Sequence, residues 1–474
     1  MLVAIVTVFI IGYLAIALEH PLRIDKTASA LLLGMVLWVL YAVGTTLGMP
    51  EFIDIIKVQE GFKEYLHNSS ALQGESLAHQ CLQYLINVQI IEHMGDIAEI
   101  LFFLIGAMTI VELIDVHGGF SVITDHINTR QKRKLLWIIC PIAFFMSAVL
   151  DNLTTTIVMI MLLRKLINDQ HERWLYASMI VISANTGGAW SPIGDITTIM
   201  LWVKGNVTTT ALISFVLLPS IVAMVVPLLF ATRMLTGELP EGNRIVTRSD
   251  FISTREKTTL FYLGVGGLIF VPVFKAITHL PPFMGILISL SVLWIFTEIM
   301  YNSKLLEKSQ EHRVPKVLSH IDTPTILFFL GILMAVAVLQ STGIVGAAAA
   351  WLDKEVHNIY IINVLLGILS SIVDNVPLVA AAMGMYPVAD PGTVGYMANF
   401  VQDGIFWEFL SYCAGVGGST LIIGSAAGVV AMGLEKINFG WYLKHISLLA
   451  LIGYLAGAAV YILEAEYLKP LLGM

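Results

Sequence analysis

The sequence predicts an all-α polytopic membrane protein with two inverted repeats, each holding about five transmembrane helices, one re-entrant hairpin and one broken helix. Three observations lead to this fold class. First, 57% of the 474 residues are hydrophobic and 13% are charged, whereas soluble domains carry roughly 25% charged residues. Second, the apolar residues form long runs of the kind that bilayer crossings require. Third, several motifs occur twice in the same order. A soluble domain is excluded, and no nucleic-acid partner is expected.

The apolar runs predict ten crossings, because a helix needs ~20 residues to span the bilayer core. No Asp, Glu, Lys or Arg interrupts residues 205–232, 258–274 or 323–352. The first run follows no basic residue and precedes no clear cleavage pattern, so it is read as a crossing rather than as a signal peptide. The predicted spans are 2–18, 28–46, 97–114, 174–202, 209–231, 258–277, 284–301, 323–344, 405–434 and 443–463.

Two further segments, 135–167 and 361–389, are apolar but break in the middle. The first breaks at Asp151-Asn152 and the second at Asp374-Asn375-Val376-Pro377. Each arm then has only about 15 residues, which is short for a crossing at a rise of ~1.5 Å per residue. Each segment is therefore predicted to enter and leave the membrane on one side, as a re-entrant hairpin with its tip near the middle of the bilayer.

The Lys and Arg residues support this topology, since cytoplasmic loops carry an excess of positive charge. Basic residues flank the first hairpin on both sides, so both flanks are predicted to be cytoplasmic. Six predicted cytoplasmic loops hold 20 of the 26 Lys and Arg residues, and the other six residues lie on the opposite side. These loops are 19–27, 115–134, 164–173, 232–257, 302–322 and 435–444.

Three motifs of the first half recur in the second half, in the same order and at similar spacing. The string ILFFL at 100–104 recurs at 326–330, and SAVLDN at 147–152 recurs as SSIVDN at 370–375. Five crossings per half is an odd number, so the second half must be inserted upside down relative to the first. The glycine pattern Gly187-Gly188 with Gly194 recurs as Gly417-Gly418 with Gly424. The predicted units are a first repeat at 1–237, a cytoplasmic linker at 238–257 and a second repeat at 258–474.

Asp151 and Asp374 occupy equivalent places at the two hairpin tips. An ionised carboxylate at the centre of a membrane helix costs ~2.5 to 3.5 kcal/mol, so such acids are functional hypotheses by default. The alternative is that Asp-Asn forms a turn and caps the returning arm. Capping needs no charge, and the acid recurs in both halves, which favours a functional role.

The broken helices are predicted from NTGGAWSPIGDITT at 185–198 and AGVGGSTLIIGSAAG at 414–428. Paired glycines, a proline and hydroxyl residues free backbone carbonyls, which are tolerated at membrane depth only inside protein or beside a cavity. Carbonyl, carboxylate, amide and hydroxyl oxygens suit small hard cations. Close helix packing would explain the glycines alone, but not the polar residues beside them. The predicted backbone positions are Gly187, Gly188, Gly194, Gly417, Gly418 and Gly424.

Other residues give weaker signals. Glu112 ends a predicted span and is a candidate proton relay, although acids near the interface are more often solvated helix ends. The 12 histidines show no metal spacing, and the three cysteines are far apart, so no transition-metal site or disulfide framework is expected. No phosphate-binding glycine loop occurs, so primary pumping has no support. We expect no cofactor and no enzymatic activity.

SAVLDNLTTTIVM, SANTGGAWSPIGDITT and SSIVDNVPLVAAA together resemble the NhaD-type sodium/proton antiporters of the ion transporter superfamily, over residues 90–435. The resemblance implies a scaffold domain, a transport domain that holds the hairpins and broken helices, elevator-like alternating access and a homodimer. It implies transport-site positions at Asp151, Asn152, Asn185, Asp195, Thr197, Thr198, Asp374, Asn375 and Ser419. Thr154 and Thr186 complete the predicted cation- and proton-binding set.

The predicted function is exchange of Na⁺ or Li⁺ for H⁺ by alternating access, electrogenic because two tip acids can carry more than one proton. Carboxylate-transporting relatives tend to have Ser-Asn-Thr at the tips, and two acids there would repel an anion. The alternative is a cation- or proton-coupled transporter of a small anion or neutral acid, such as a dicarboxylate or arsenite. A channel is a third class, but inverted repeats favour alternation. The expected location is a bacterial inner membrane, with lipid and small cations as partners.

Overall fold

The computed structural model describes residues 1–17, 22–69, 72, 74–120, 122, 129–167, 169–239, 253–302, 313–372 and 375–471. Across these residues the regular structure is helical, and the extended pairings are two isolated bridges, Gln131 with Glu238 and Ala389 with Val401. The predicted all-α polytopic class is confirmed. Asp374 and most of the predicted linker 238–257 lie outside the described residues.

The helices of the first half begin at the N-terminal segment and end before the predicted linker. They are α1 (Leu2–Ala17), α2 (Lys26–Thr46), α3 (Pro50–Val58), α4 (Glu60–Asn68), α5 (Leu77–Tyr84), α6 (Ile90–Val116), α7 (Lys132–Leu150), α8 (Asn152–Leu166), α9 (Gln170–Ala189), α10 (Ile196–Val203) and α11 (Leu217–Met234). The π-helical turn Leu85–Gln89 joins α5 to α6, and the helical turn Thr209–Ala211 followed by the π-helical turn Leu212–Val216 leads into α11.

The helices of the second half begin after the predicted linker. They are α12 (Thr254–Thr278), α13 (Pro282–Asn302), α14 (Thr323–Ser341), α15 (Ile344–Glu355), α16 (Ile359–Ser370), α17 (Asn375–Met385), α18 (Ile405–Gly417), α19 (Ala426–Glu435), α20 (Phe439–His445) and α21 (Ser447–Leu463). Short helical turns occur at Val314–Val317, Leu318–His320 and Gly395–Phe400, and α21 continues through a π-helical turn, Glu464–Leu468, into Lys469–Leu471.

Among the described residues, eight helical stretches are long and apolar enough to cross a membrane. The predicted spans 174–202 and 405–434 are each divided into two helices, as a broken helix requires. The first arm of the first hairpin, α7, has 19 residues, more than the sequence estimate, because the basic flank at 132–134 joins the helix. The eight stretches are Lys26–Thr46, Leu77–Val116, Lys132–Leu150, Thr209–Met234, Thr254–Thr278, Pro282–Tyr301, Thr323–Ser341 and Ser447–Leu468.

The chain forms two compact units, and each takes residues from both predicted repeats. The first unit consists of Met1–Leu101, Asp322–His357 and Ala380–Pro387. In it α2 packs on α14 through small residues, because a Cβ on Gly34 would lie 2.5 Å from the Gly331 carbonyl oxygen. One turn along this contact, the Trp38 indole donates a hydrogen bond to the Met334 carbonyl at 3.0 Å. Close backbone approach through glycine is typical of membrane helix pairs.

The second unit consists of Phe102–Ile321, Asn358–Val379 and Val388–Met474 and contains both broken helices. Every residue of α9 from Leu175 to Ala189 is buried, and so is every residue of α18 from Phe406 to Gly417. A helix that is buried on all faces forms the centre of a domain rather than its surface. The two first arms of the broken helices are therefore the core of this unit.

A charged clamp at the end of α19 joins the two halves within this unit. The fully buried Glu435 carboxylate contacts the Arg164 guanidinium at 2.7 Å and the Arg173 guanidinium at 2.8 Å. Gln170 and Trp174 donate to the Glu435 backbone carbonyl at 2.8 and 2.9 Å. The carbonyls at a helix C-terminus have no partners within the helix, so these donors satisfy the end of α19 with side chains from the first half.

The inverted orientation of the repeats remains a prediction, and cysteine labelling tests it. The native cysteines Cys81, Cys140 and Cys413 are all buried, which keeps the background low. The positions Lys134 and Asp390 are exposed near the mouths of the two predicted hairpins. With a membrane-impermeant thiol reagent on intact cells, we expect the Asp390→Cys variant to be labelled and Lys134→Cys to be labelled only in everted vesicles. Labelling of both variants from the same side would contradict the inverted repeat.

Candidate functional site

Asp151 forms the turn between the two arms of the first hairpin. Its backbone has φ 77°, in the left-handed region that favours glycine and is a source of local strain in other residues. Its carboxylate accepts hydrogen bonds from the Thr154 backbone N–H at 2.7 Å and from the Thr154 hydroxyl at 2.9 Å. Asp151 therefore caps α8, as the alternative interpretation of this residue expected.

Asp151 also lies on the wall of a small cavity. The cavity has a volume of about 20 Å³, enough for about one water molecule. Its other walls are apolar side chains of α6, α7, α8, α10, α12 and the α9–α10 connection, among them Leu104, Met108 and Ile193. The carboxylate at the tip thus combines a capping role with a position beside a cavity, and the two roles do not exclude each other.

Asn152, the next residue, connects the hairpin tip to the first broken helix. Its amide nitrogen donates to the Asp195 carboxylate at 2.6 Å and to the Asn185 side-chain oxygen at 3.1 Å. Asn185 comes near the end of α9, and Asp195 immediately precedes α10. One amide therefore joins the hairpin tip to both arms of the broken helix.

Asp195 lies at the centre of this network, and its side chain is only 1% exposed. One carboxylate oxygen accepts from the Thr197 backbone N–H at 2.8 Å and from the Thr197 hydroxyl at 2.6 Å. The same oxygen lies 3.5 Å from the amide nitrogen of Asn375, at the start of α17. Asp195 thus accepts a hydrogen bond from an asparagine amide of each predicted hairpin tip.

Asn185 extends the network to the second broken helix. Its amide nitrogen donates to the Ser419 hydroxyl and to the Ser425 hydroxyl, both at 2.9 Å. Ser425 is absent from the predicted site, although the repeat contains a signal for it. Asp195 directly follows Gly194, and Ser425 directly follows the equivalent Gly424. Each of the two residues caps its helix, α10 or α19.

Two of the predicted threonines have other partners. Thr198 pairs with the Ser411 hydroxyl at 3.1 Å, and Ser411 donates to the Ala189 carbonyl at 2.9 Å, which is freed where α9 ends. Thr186 donates to the Ile182 carbonyl of its own helix at 2.8 Å. These hydrogen bonds therefore join Thr198 to the end of α9 through Ser411 and join Thr186 to its own helix, and neither bond reaches the network around Asp195.

The predicted glycines hold the broken helices against neighbouring backbone. A Cβ on Gly187 would overlap the Phe144 carbonyl oxygen, and one on Gly417 would overlap the Gly367 carbonyl oxygen. Gly188 and Gly418 similarly pack against the carbonyls of Gly194 and Gly424, with no room for a Cβ. The two halves thus repeat the same contacts in the order found in the sequence.

Matching hydroxyl bonds accompany the glycine contacts. The Ser147 hydroxyl of α7 donates to the Ala184 carbonyl at 2.5 Å, and Ser370 of α16 donates to the Ala414 carbonyl at 3.0 Å. Both serines belong to the repeated strings that precede the tips. Each predicted first arm is therefore fixed to its broken helix by a serine bond and a glycine contact.

Glu112 lies apart from this network. Its carboxylate is 3.6 Å from the His320 ring and is partly exposed. In the part of the chain that the structure describes, Glu112 has no contact with the predicted site residues, and these contacts give its predicted relay role no support. The residues that the structure brings together are Asp151 and Thr154 at the first tip, and Asn152, Asn185, Asp195, Thr197, Asn375, Ser419 and Ser425 in the central network.

The central network consists of oxygen-bearing side chains: one carboxylate, three amides and three hydroxyls. Among the described residues, no three His, Cys, Asp or Glu side chains converge in a metal-binding group. Amide and hydroxyl groups can turn either a hydrogen or an oxygen lone pair toward a neighbour. Such a set can satisfy a buried carboxylate by itself and can also supply oxygen ligands to a small hard cation.

The chain is similar in sequence to several known membrane transporters. Residues 9–401 match the protein-family model described as citrate transporter. The chain is 42% identical to sodium/proton antiporter 1 of Arabidopsis thaliana over 97% of this chain and 72% of that protein. It is 40% identical to sodium/proton antiporter 2 of the same plant, over 96% and 97% of the two chains. It is 29% identical to the Na⁺/H⁺ antiporter NhaD of Vibrio cholerae, over 97% and 91%.

The glycine contacts predict a sharp dependence on side-chain size. Gly187→Ala and Gly417→Ala each force a methyl group onto a carbonyl oxygen, and overpacking of this kind costs about 1–3 kcal/mol. We expect both variants to melt at lower temperature in detergent. Gly433→Ala is the matched control, because nothing lies within 4 Å of its added Cβ and alanine favours a helix over glycine. A Gly187→Ala protein as stable as Gly433→Ala would contradict the close contact.

Proposed function

The chain belongs to the NhaD-type sodium/proton antiporters of the citrate transporter family, and from that premise we propose that it exchanges Na⁺ for H⁺ across a membrane by alternating access. Li⁺ is a second substrate of the same site. The observation that carries the proposal is the buried Asp195 carboxylate, which faces the amides of Asn152 and Asn375. A single acid shared by the two predicted hairpin tips is a point at which one cation or one proton can be held.

Competition between Na⁺ and H⁺ follows from the charge of that acid. A carboxylate in a low-dielectric interior is costly unless its charge is compensated. A bound Na⁺ compensates it, and so does a proton, but the two cannot occupy the same oxygen atoms together. Asp151 and Asp374 at the tips act in the same way. Protonation therefore neutralises the carrier for its return after Na⁺ has left.

The amides and hydroxyls can adapt to both states. As described above, the amide nitrogens of Asn152 and Asn185 donate hydrogen bonds within the network. Turning an amide over replaces its N–H donors with an oxygen acceptor. In the proposed cation-bound state the amide and hydroxyl oxygens of Asn152, Asn185, Thr197, Ser419 and Ser425 turn toward Na⁺.

The proposed exchange is electrogenic. Two tip acids and Asp195 provide more carboxylates than one Na⁺ neutralises, so more than one proton can be carried back for each Na⁺. Net charge then moves in each cycle, and a membrane potential contributes about 2.3 kcal/mol per charge per 100 mV. A rate that depends on the membrane potential at constant pH gradient is the corresponding signature.

A carboxylate such as citrate is the second candidate substrate, because the matching family model is described as a citrate transporter. At an effective dielectric constant of ~20, unit charges 4 Å apart interact by about 4 kcal/mol. Asp195 and the tip acids would attract Na⁺ and repel citrate by amounts of that order. The acid content of the network therefore favours the cation.

The proposal extends to the setting of the protein. The multi-pass character of the chain follows from the eight long apolar helical stretches found among the described residues, and its similarity to a bacterial NhaD over 97% of the chain supports a bacterial inner membrane. A homodimer is proposed from the family resemblance alone. In that setting the exchange would contribute to sodium tolerance and pH homeostasis.

Replacing the carboxylates tests the site. Asp195→Asn removes the negative charge. It also turns an amide N–H toward either Asn152 or Thr197, which are themselves donors, so one hydrogen bond is replaced by two opposed donors. Losing a charge interaction of about 4 kcal/mol exceeds the ~1.4 kcal/mol of a tenfold rate change. We expect Asp195→Asn, Asp151→Asn and Asp374→Asn each to reduce Na⁺-dependent exchange by at least about tenfold.

Asp54→Asn is the matched control for these variants, because Asp54 is an exposed acid in α3. It should exchange at the rate of the unchanged protein. All variants are compared at equal amounts of folded protein, measured by fluorescence size-exclusion chromatography. Near-normal exchange in Asp151→Asn would leave capping as the role of that residue, and near-normal exchange in Asp195→Asn would remove the basis of the proposed site.

The function itself is tested in everted vesicles from cells that lack their own antiporters. The vesicles are energised to an acid interior and followed with a pH-sensitive dye. Adding NaCl or LiCl should dissipate the pH gradient, and the half-saturating Na⁺ concentration should fall as pH rises because fewer protons occupy the site. If neither salt moves protons while labelled citrate, a dicarboxylate or arsenite is transported, the second candidate is right.

A further inference from the structure

A second group of ionisable side chains lies in the same unit as the network but outside it. Glu408 is on the first turn of α18 and is 0% exposed. One of its carboxylate oxygens contacts the Lys469 ammonium at 2.7 Å and accepts a hydrogen bond from the Tyr461 hydroxyl at 2.7 Å. Its other oxygen has no hydrogen-bond partner among the described residues.

Lys469 is held in place by further contacts besides Glu408. Its ammonium donates to the Asp403 backbone carbonyl at 3.3 Å and lies 4.5 Å from the centre of the Phe215 ring. Its side chain is only 9% exposed. Phe215 and the residues just before Lys469 both belong to π-helical turns, Leu212–Val216 and Glu464–Leu468. Such turns are rare in proteins as a whole, and those that occur are often at functional sites.

A second acid, Glu464, begins the π-helical turn that precedes Lys469. The carboxyls of Glu464 and Glu408 interact electrostatically, and one Glu464 oxygen is also buried without a partner among the described residues. Glu464 is partly exposed, whereas Glu408 is fully buried. Glu464 is therefore the accessible acid of the two, and Glu408 is the inaccessible one.

The charges of this group do not balance. Among the described residues, Lys469 is the one cation that contacts Glu408, and Glu464 interacts electrostatically with the same acid. The nearby Asp403 carboxylate is satisfied by the Thr208 backbone N–H at 2.6 Å and the Thr208 hydroxyl at 2.9 Å. Tyr461 supplies a hydrogen bond but no positive charge. Binding one proton to Glu408 or Glu464 would leave these two acids and Lys469 together with no net charge.

A purely structural ion pair explains less of this arrangement. Buried ion pairs contribute little net stability, because the desolvation of both charges offsets their attraction. An anchor for the segment 464–471 would need Lys469 and Glu408 but no second acid. Inside a membrane protein, unpaired ionisable groups mark ion or proton pathways. The second acid and the two unpartnered oxygens therefore favour a proton-binding role.

The position of Glu408 links the group to the network described above. Glu408 and Gly417 lie on the same helix, roughly 14 Å apart at ~1.5 Å per residue, and Gly417 borders the break that presents Ser419. Lys469 is one of the six basic residues predicted on the non-cytoplasmic side. We propose that Glu408, with Glu464 and Lys469, forms a second proton-binding site that loads protons from that side during exchange.

This proposal rests on the proposed Na⁺/H⁺ exchange and adds a proton step to it. Water delivers a proton to the Glu464 carboxylate, the proton passes to the free oxygen of Glu408, and Glu464 becomes ionised again. The Lys469 ammonium beside Glu408 limits how tightly Glu408 holds the proton. No oxidation, bond cleavage or further reactant is involved.

The test uses the full-length protein in proteoliposomes, with initial rates at saturating Na⁺ measured against the pH of each compartment. For Glu408→Gln we expect the rate to fall by about tenfold and to lose its dependence on pH on the side that Lys469 faces. The half-saturating Na⁺ concentration should change by less than about twofold, because Na⁺ binds elsewhere. Glu464→Gln should lose the same pH dependence of the rate. This variant tests the proposal if Glu408→Gln does not fold.

The Lys469→Met variant distinguishes a proton-binding role of the pair from a purely structural role. Without the ammonium, Glu408 holds its proton more tightly, so the pH at which the rate declines should rise by about one unit or more. The double variant Glu408→Gln with Lys469→Met should be as slow as Glu408→Gln alone. Glu466→Gln is the control, because this exposed acid in the same turn pairs with Tyr360, and its pH profile should be unchanged.

Two outcomes would overturn the proposal. One is a Glu408→Gln protein with an unchanged pH profile. The other is a double variant that recovers normal exchange, which would mean that the pair only compensates its own charges. Absence of Na⁺-dependent exchange in the unchanged protein would instead contradict the proposed function, so the two failures are distinguishable.

Discussion

The burial of the Asp195 carboxylate is the constraint on which the central unit depends. A nearly inaccessible acid needs hydrogen-bond donors from every direction, and here they come from its own helix start and from two other segments. Thr197 supplies the local donors, and Asn152 and Asn375 supply the distant ones. The hairpin tip, the broken helix and the start of α17 are therefore held in one place by a single side chain.

Such convergence is possible only because the helices stop in the interior. An unbroken helix would satisfy its own backbone and would place no helix start beside the tips. The paired glycines end α9 and α18, and the turns that follow allow Asp195 and Ser425 to begin new helices. The same glycines admit the carbonyls of Phe144 and Gly367 at distances that no Cβ would allow. Helix breaks and close packing are thus two results of the same residues.

The two halves match in backbone but differ in chemistry. Asp195 and Ser425 occupy equivalent helix starts, yet one is an acid and the other a hydroxyl, and both are tied to Asn185, directly or through Asn152. A repeat with an acid in both places would put two charges on one network and would need a second compensating cation. Serine at the second of these positions leaves a single carboxylate within the network, which suits the binding of one small cation there.

The sequence alone determined the helical class, the long apolar spans and the broken helices, because apolar run length and helix-breaking residues are properties of neighbouring residues. Most of the residues in the network were expected from the motifs and from the family resemblance that these motifs carry. The sequence could not decide which polar residues meet. Thr186 lies beside Asn185 in the chain but bonds back to its own helix, whereas Ser411, Ser425 and Glu408 acquire their roles from partners that are distant in the chain. Hydrogen bonds and ion pairs act over a few ångströms in space, so only the tertiary structure could select among residues that are equally polar in the sequence.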